Sequence, residues 1–128
     1  MLSQKMSEKL QYAIDHRIEV ALVTVTKHAD EQYLGRKVIV WPDGEFFSDQ
    51  EDQGFFVREI VKQSLPLLQA HTTKAITFTW NSASVECFVE VLAAPSHLIV
   101  AGAGHIAEPV VKIGTMLGFY VTVIDDRP

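Results

Sequence analysis

Cysteine, clusters of basic residues and long apolar segments are scarce in this chain of 128 residues, and each scarcity excludes a class of protein. Cys87 is the single cysteine, so no intrachain disulfide can form and a reducing compartment is expected. The net charge is −5 and no lysine or arginine run occurs, which argues against a nucleic-acid partner. No segment approaches the roughly 18 apolar residues of a membrane span, and residues 1–8 lack the apolar core of a signal peptide. We therefore expect a cytoplasmic protein that binds neither nucleic acid nor membranes.

Patterns of catalytic and metal-binding residues are also missing from the sequence. The histidines are scattered without a spacing such as His-x-x-x-His, and no Gly-x-Ser-x-Gly elbow occurs. The acidic run Asp49–Asp52 lacks the spacing of a calcium loop, which favours a solvated loop or a helix start. Cys87 lies in an apolar strand pattern, so we expect a buried, inert thiol. No catalytic or metal site is predicted, and a non-enzymatic role is favoured.

Apolar residues make up 48% of the chain, enough to bury a real core. We predict an α/β protein: an N-terminal α+β domain with a mixed sheet over residues 1–95, then the first βαβ unit of a Rossmann-like doubly wound sheet over 96–128. The elements predicted in the first domain are a helix capped by Ser3 or Ser7 that runs to about Arg17, strands at Glu19–Thr26, Lys37–Trp41 and Glu45–Phe47, a helix from Phe55 that Pro66 kinks or ends near Gln63–Ser64, and strands at Lys74–Trp80 and Val85–Leu92. Residues 93–96 are predicted to be a linker.

The segment from His97 to Asp125 carries the most informative pattern. An apolar strand, a glycine turn, a helix with apolar residues at helical spacing, and a second β-prone strand follow one another, as in a dinucleotide-binding βαβ unit. Gly102 would permit the tight turn out of the first strand, and Gly104 would let a pyrophosphate approach the backbone. Ala107 fills the third small position, where the helix meets the strand. A packing role for the glycines alone stays open.

Two further residues of this unit are candidate ligand contacts. His105 stands at the helix start, where it either contacts a phosphate or serves only as a helix N-terminal residue. Asp125, about 20 residues after the glycines, could hold a ribose hydroxyl. The predicted ligand is NAD(P) or another nucleotide. Arg127 would either favour a 2′-phosphate or pair with the acid.

The run Val100–Ile106, with the strand Leu117–Pro128, resembles the XdhC/CoxI family, accessory proteins of molybdenum hydroxylases such as xanthine dehydrogenase. The resemblance is sharp only in the last third of the chain. It implies a protein that handles molybdenum cofactor for a client molybdenum hydroxylase. The chain departs from the family's glycine-rich loops at three stretches: Lys27–Tyr33, Ser48–Gly54 and Val85–Cys87. The carboxylates of Asp49–Asp52 would repel a pterin phosphate, which argues against molybdenum-cofactor handling by this chain alone.

One helix can cover only one face of the strand pair Leu98–Ala101 and Phe119–Ile124, so an exposed apolar face is expected. Three explanations stay open: the chain is a fragment, the first domain covers this face, or two copies pair. We predict a homodimer. Two other functions also stay open, namely an interaction or regulatory module in which the glycine turn only packs, and half of an NAD(P)-dependent oxidoreductase completed by another chain.

Overall fold

The computed structural model describes residues 2–50, 55–92, 97–102 and 104–125. The described elements are α1 (Gln4–Asp15), β1 (Val20–Lys27), a 3₁₀ turn (Glu31–Tyr33), β2 (Lys37–Val40), β3 (Phe46–Phe47), α2 (Phe56–Gln69), β4 (Lys74–Trp80), β5 (Ala83–Leu92), β6 (His97–Ala101), α3 (Ala107–Met116) and β7 (Tyr120–Ile124). They fall into two compact units, unit 1 (Met1–Ala93) and unit 2 (Ala94–Pro128). The predicted linker, residues 93–96, lies outside the described residues. The predicted α/β class is confirmed.

Unit 1 is built around a five-stranded sheet with the order β3-β2-β1-β5-β4. All of its described pairings are antiparallel, and the parallel pairing occurs only in unit 2. Parallel and antiparallel pairings are thus both present, but in separate sheets and not within a mixed sheet of the N-terminal unit. The reason is visible in the connections: β2 to β3 and β4 to β5 are short reversals, and such links produce antiparallel neighbours.

The two helices of unit 1 cover opposite faces of this sheet. Successive side chains of β1 alternate in direction, and Ala21, Val23 and Val25 join the cluster that contains the buried face of α2. Val20 and Leu22 join the cluster formed with α1. Ser3 caps α1, its Oγ accepting a hydrogen bond from the Met6 N–H at 3.2 Å, as one of the two predicted caps.

Pro66 is predicted to kink or end α2, and the second alternative is wrong, because the helix continues to Gln69. A proline inside a helix costs the intrahelical bond that its missing N–H would make. The helix nevertheless continues because Leu68 is buried in the core, with Leu65 and Leu67 packed against it. The Ala70 N–H also donates to the Pro66 carbonyl at 3.0 Å. Tertiary packing therefore outweighs the local preference of proline.

Two tight turns connect neighbouring strands of unit 1. The predicted turn at Pro42–Gly44 is present, with the Gly44 N–H donating to the Trp41 carbonyl at 3.0 Å. The β4–β5 hairpin turns on Asn81 and Ser82 alone, with φ of 49° and 65°, the positive values that a two-residue hairpin of the primed type requires. The predicted connection of four residues was too long, because β5 already begins at Ala83.

Unit 2 consists of β6 and β7 in parallel register and the connecting helix α3. Gly114 is the buried residue of α3, and its neighbours on the same helical face, Ala107 and Val111, are half-buried. The apolar residues that predicted the helix lie on other faces and are exposed in the chain: Ile106, Val110, Ile113, Met116 and Leu117. The helix therefore packs through a face of small residues, and its apolar stripe is left uncovered.

The strand face opposite α3 is also exposed. Leu98 lies beside Gly114, and because side chains alternate along a strand, Ile99 points to the other face. Ile99 and Ile124 are both exposed, so the exposed face predicted for the strand pair is confirmed for these residues.

Candidate functional site

The carboxyl ends of β6 and β7 form the edge at which the predicted nucleotide contacts meet. Ala101 and Ile124 are register partners, so the residues that follow them, Gly102 and Asp125, leave the sheet at the same level. The Gly102 N–H donates to the Ile124 carbonyl at 2.5 Å, which ties the glycine turn to the end of β7. Gly102 has a φ of +90°, a conformation that glycine adopts without a steric penalty. Asp125 is half-buried at this edge.

The chain passes from the glycine turn into α3 without a side-chain cap. Ile106 occupies the N-cap position, and its side chain makes no capping hydrogen bond. The Ala107 N–H donates to the Gly104 carbonyl at 3.1 Å. The first-turn amides of a helix have no intrahelical acceptors, and with the helix dipole they suit an anion. Gly104 and His105 are exposed at this position, and Ala103 lies outside the described residues.

A cavity of about 640 Å³ opens beside the helix start. It is lined by Gly104, His105, Ala107, Glu108, Val111, Lys112 and Val123. A Cβ built on Gly104 would meet nothing within 4 Å, so the backbone is open to an approaching group there. Glu108 and Lys112 form an exposed ion pair at 3.6 Å, one turn apart. The structure thus brings three predicted residues, Gly104, His105 and Ala107, to one cavity. Asp125 lies at the same sheet edge but does not line it.

The glycine that carries the closest packing of unit 2 is Gly114, which the sequence reasoning missed. A Cβ there would lie 2.6 Å from Leu98 Cδ2 and 3.4 Å from Val121 Cγ2, so the helix can approach both strands only because this residue has no side chain. The sequence did contain a signal for this role, namely a glycine in the middle of a predicted helix. Glycine inside a helix costs about 1 kcal/mol relative to alanine, so its presence calls for a packing reason.

The other candidate groups have structural surroundings. Cys87 is fully buried in the core of unit 1, as predicted. Burial, with a smaller contribution from Glu86, raises the pKa of the Cys87 thiol to about 12. His71 pairs with Glu19, and His16 stacks on Tyr12. Among the described residues no three histidine, cysteine or carboxylate side chains are grouped to hold a metal ion. Part of the acidic run Asp49–Asp52, like Arg127, lies outside the described residues.

The molybdenum cofactor implied by the family resemblance does not fit the described residues of unit 1. A molybdenum ligand or sulfur carrier would need an accessible thiolate, whereas Cys87 is buried and its thiol is held protonated by burial. The stretch after β1, where the family carries a glycine-rich loop, holds the carboxylates of Asp30 and Glu31. Carboxylates repel a pterin phosphate.

No family model matches the chain, and no curated protein matches it. A structural neighbour is a xanthine dehydrogenase from Bacillus halodurans, with a TM-score of 0.43 and 12% sequence identity over 94% of this chain. The chain spans 62% of the length of that protein. A similarity of this strength carries no argument about function.

No helix among the described residues combines the length and apolar character needed to cross a membrane.

Proposed function

We propose that this chain is a cytoplasmic accessory protein of the XdhC/CoxI type whose unit 2 binds a nucleotide, with NAD(P) as the favoured ligand. The observation that carries the proposal is that Gly102 and Asp125 lie at the same edge of the β6–β7 sheet. The hydrogen bond from the Gly102 N–H to the Ile124 carbonyl joins the two strand ends there. In a βαβ unit of this kind the phosphate lies over the glycine turn and the acid holds the ribose. The family motif in the sequence supports the same reading, and it makes a molybdenum hydroxylase the expected client.

Each residue then has a distinct role. Gly102 turns the chain out of β6, and Gly104 leaves the backbone open to the phosphate. The amides at the start of α3 and the ring of His105 offer hydrogen-bond donors to the anion. Asp125 accepts from a ribose hydroxyl. These are binding roles, and no catalytic residue is assigned.

Calorimetry on the full chain tests this proposal, with NAD, NADP, FAD and cytidine triphosphate as titrants. We expect saturable binding of at least one, and loss of that binding in Gly104→Val. Because a Cβ at Gly104 meets open space, this variant should fold normally, and circular dichroism checks that it does. Met116→Ala, at the other end of α3, is the matched control and should bind as the parent does. No saturable binding, or unchanged binding by Gly104→Val, would contradict the nucleotide role.

The exposed apolar side chains of unit 2 favour a second candidate function, an interaction module that forms a homodimer. Ile99 and Ile124 share one exposed face, and surfaces of this kind mark partner contacts. Light scattering at micromolar concentration should give the mass of a dimer, and Ile99→Lys should give that of a monomer. Lys62→Ala, on α2 of unit 1, is the control and should leave the mass unchanged. A monomeric parent chain would contradict this candidate.

A further inference from the structure

A second cavity, of about 630 Å³, lies in unit 1, far in sequence from the glycine turn. It opens where the segment after β1 meets the β4–β5 hairpin. Its lining residues are His28, Ala29, Asp30, Glu31, Tyr33, Trp80, Asn81 and Ala83. The volume lies within the range of small-molecule sites, roughly 300–1,000 Å³. The nucleotide role proposed above uses none of these residues.

The aromatic wall of this cavity is built on the core. His28 stacks on Tyr33 with ring centroids 4.5 Å apart, and both rings meet Phe56 edge-on at 5.2 Å. Trp80 lies 5.5 Å from the same Phe56 ring. Because Phe56 is fully buried, the three lining rings are held against a fixed support.

The charge of the lining is negative. Asp30 and Glu31 are the ionisable acids of the lining, and it contains neither lysine nor arginine. The Asp30 carboxylate accepts from the Gln32 side chain at 2.6 Å and from the Gln32 N–H at 3.1 Å. These bonds, with smaller electrostatic contributions from His28 and Arg36, lower the pKa of Asp30, which keeps the carboxylate ionised. Arg36 packs on the Tyr33 ring, 4.3 Å from its centroid, and is not part of the lining.

The histidine in the lining is held by a backbone contact. His28 Nδ1 accepts from the Asp30 N–H at 2.9 Å. The same bond fixes the ring relative to the backbone that carries Asp30. Trp80 and the two carboxylates therefore face one space, while the Arg36 guanidinium lies on the Tyr33 ring and acts on Asp30 from outside the lining.

We propose that this cavity binds a small organic cation of the ammonium class. Aromatic faces attract such cations through the ring quadrupole, and neighbouring carboxylates add charge attraction. A divalent metal ion is disfavoured because the described part of the chain offers no group of three ligands. An anion is disfavoured by Asp30 and Glu31. The cavity would thus recognise a ligand by its positive charge and by the methyl or methylene groups that the ligand packs on the rings.

Tryptophan fluorescence tests the proposal directly. The chain has two tryptophans, Trp41 and Trp80, so Trp41→Phe leaves Trp80 in the cavity as the reporter. The titrants are choline and its neutral isostere 3,3-dimethylbutan-1-ol, which has the same shape without the charge. We expect a saturable change in Trp80 emission with choline and none with the isostere.

Charge variants complete the test. Glu31→Gln removes a lining charge without removing a capping group, and should weaken choline binding roughly two- to fivefold. Glu45 lines a different cavity, beside Trp41, so Glu45→Gln should leave choline binding unchanged. An equal response to the isostere, no saturable change, or equal affinities in the parent and Glu31→Gln would overturn the proposal. None of these results bears on calorimetry at the glycine turn, so the two proposals fail separately.

Discussion

Two helix isoleucines show how differently the two units use apolar residues. Ile60, on α2 of unit 1, is 1% exposed and packs in a core built from both a helix and a sheet. Ile113, on α3 of unit 2, is 58% exposed. Among the described residues, the buried hydrophobic side chains all lie between Met6 and Val89, within unit 1. In unit 2, the buried residue of α3 is Gly114, which packs against Leu98.

This difference separates the unit that dominates folding stability from the unit that carries the proposed nucleotide site. Unit 1 has helices on both faces of its sheet and the apolar burial that drives folding. Unit 2 has two parallel strands and one helix, an arrangement with little burial of its own, and two strands alone are marginal in water. Its apolar surface and its open glycine turn are available to ligands or partners. We interpret unit 1 as the stable body and unit 2 as the proposed nucleotide-binding element.

The largest expected effect on stability comes from truncating one of the two isoleucines, Ile60. Ile60→Ala should lower the free energy of unfolding of unit 1 by about 2–5 kcal/mol, because it leaves a cavity in the core. Ile113→Ala should change the stability of unit 2 by less than about 0.5 kcal/mol, because an exposed side chain loses little. Urea unfolding followed by tryptophan emission reports unit 1, since Trp41 and Trp80 both lie there. Hydrogen exchange of β6 and β7 reports unit 2.

A large loss of stability in Ile113→Ala would contradict the difference proposed between the two units. It would mean that the α3 stripe is covered in solution. Repeating the exchange at several protein concentrations would then show whether a second copy covers it, because self-association depends on concentration.

A second pair of variants compares two glycines of the same turn. Gly102→Ala should destabilise unit 2 by about 1–2 kcal/mol, since the added Cβ is strained at a φ of +90°. Gly104→Ala should be neutral or stabilise by up to about 1 kcal/mol, because its Cβ meets open space and φ is not positive. Hydrogen exchange of β6 and β7 measures both. Equal effects would show that the turn does not need the positive φ.

The contact of Gly114 with Leu98 gives a smaller effect. Gly114→Ala gains helix propensity but forces Leu98 to move, since the new Cβ would lie 2.6 Å from Leu98 Cδ2. We expect the substitution to be about 1 kcal/mol less favourable beside Leu98 than in a Leu98→Ala background. A double-mutant cycle followed by exchange of β7 measures this coupling. A coupling of zero would mean that α3 does not pack on β6 as described.

Cys87 reports on unit 1 alone. Its pKa in the folded chain, about 12, is above that of a free thiol, about 8.5. The associated stability is therefore fully present below about pH 8.5 and is lost as the pH rises toward 12. At pH 8 we expect almost no reaction with iodoacetamide in the native chain, faster reaction in Ile60→Ala, and no acceleration in Ile113→Ala. Acceleration by Ile113→Ala would show that the two units open together.

Local chemistry predicted most of the elements. Strand-prone apolar segments predicted β1 and β4, and the Pro42–Gly44 turn follows from the conformations of its own residues. The same approach failed where distant contacts decide. Pro66 stays inside α2 because Leu68 is anchored in a core that local sequence does not show.

The candidate site divides in the same way. The register of β6 and β7 places Gly102 and Asp125 at one edge, and the order of strand, turn, helix and strand was sufficient to expect that. The packing face of α3 was not predictable from apolar periodicity, because the helix packs through Gly114 and exposes its isoleucines. The cavity at His28 and Trp80 depends on two segments about 50 residues apart, which no local pattern relates.

The most direct measurement of the central claim is hydrogen exchange of the full chain with and without a saturating concentration of the nucleotide that binds in calorimetry. If unit 2 binds the nucleotide phosphate through its glycine turn, the amides of residues 102–108 should gain protection in the parent chain. They should gain none in Gly104→Val, and the amides of unit 1 should be unchanged in both. Protection that is absent from this turn, or that persists in Gly104→Val, would contradict the assignment of unit 2 as the nucleotide-binding element.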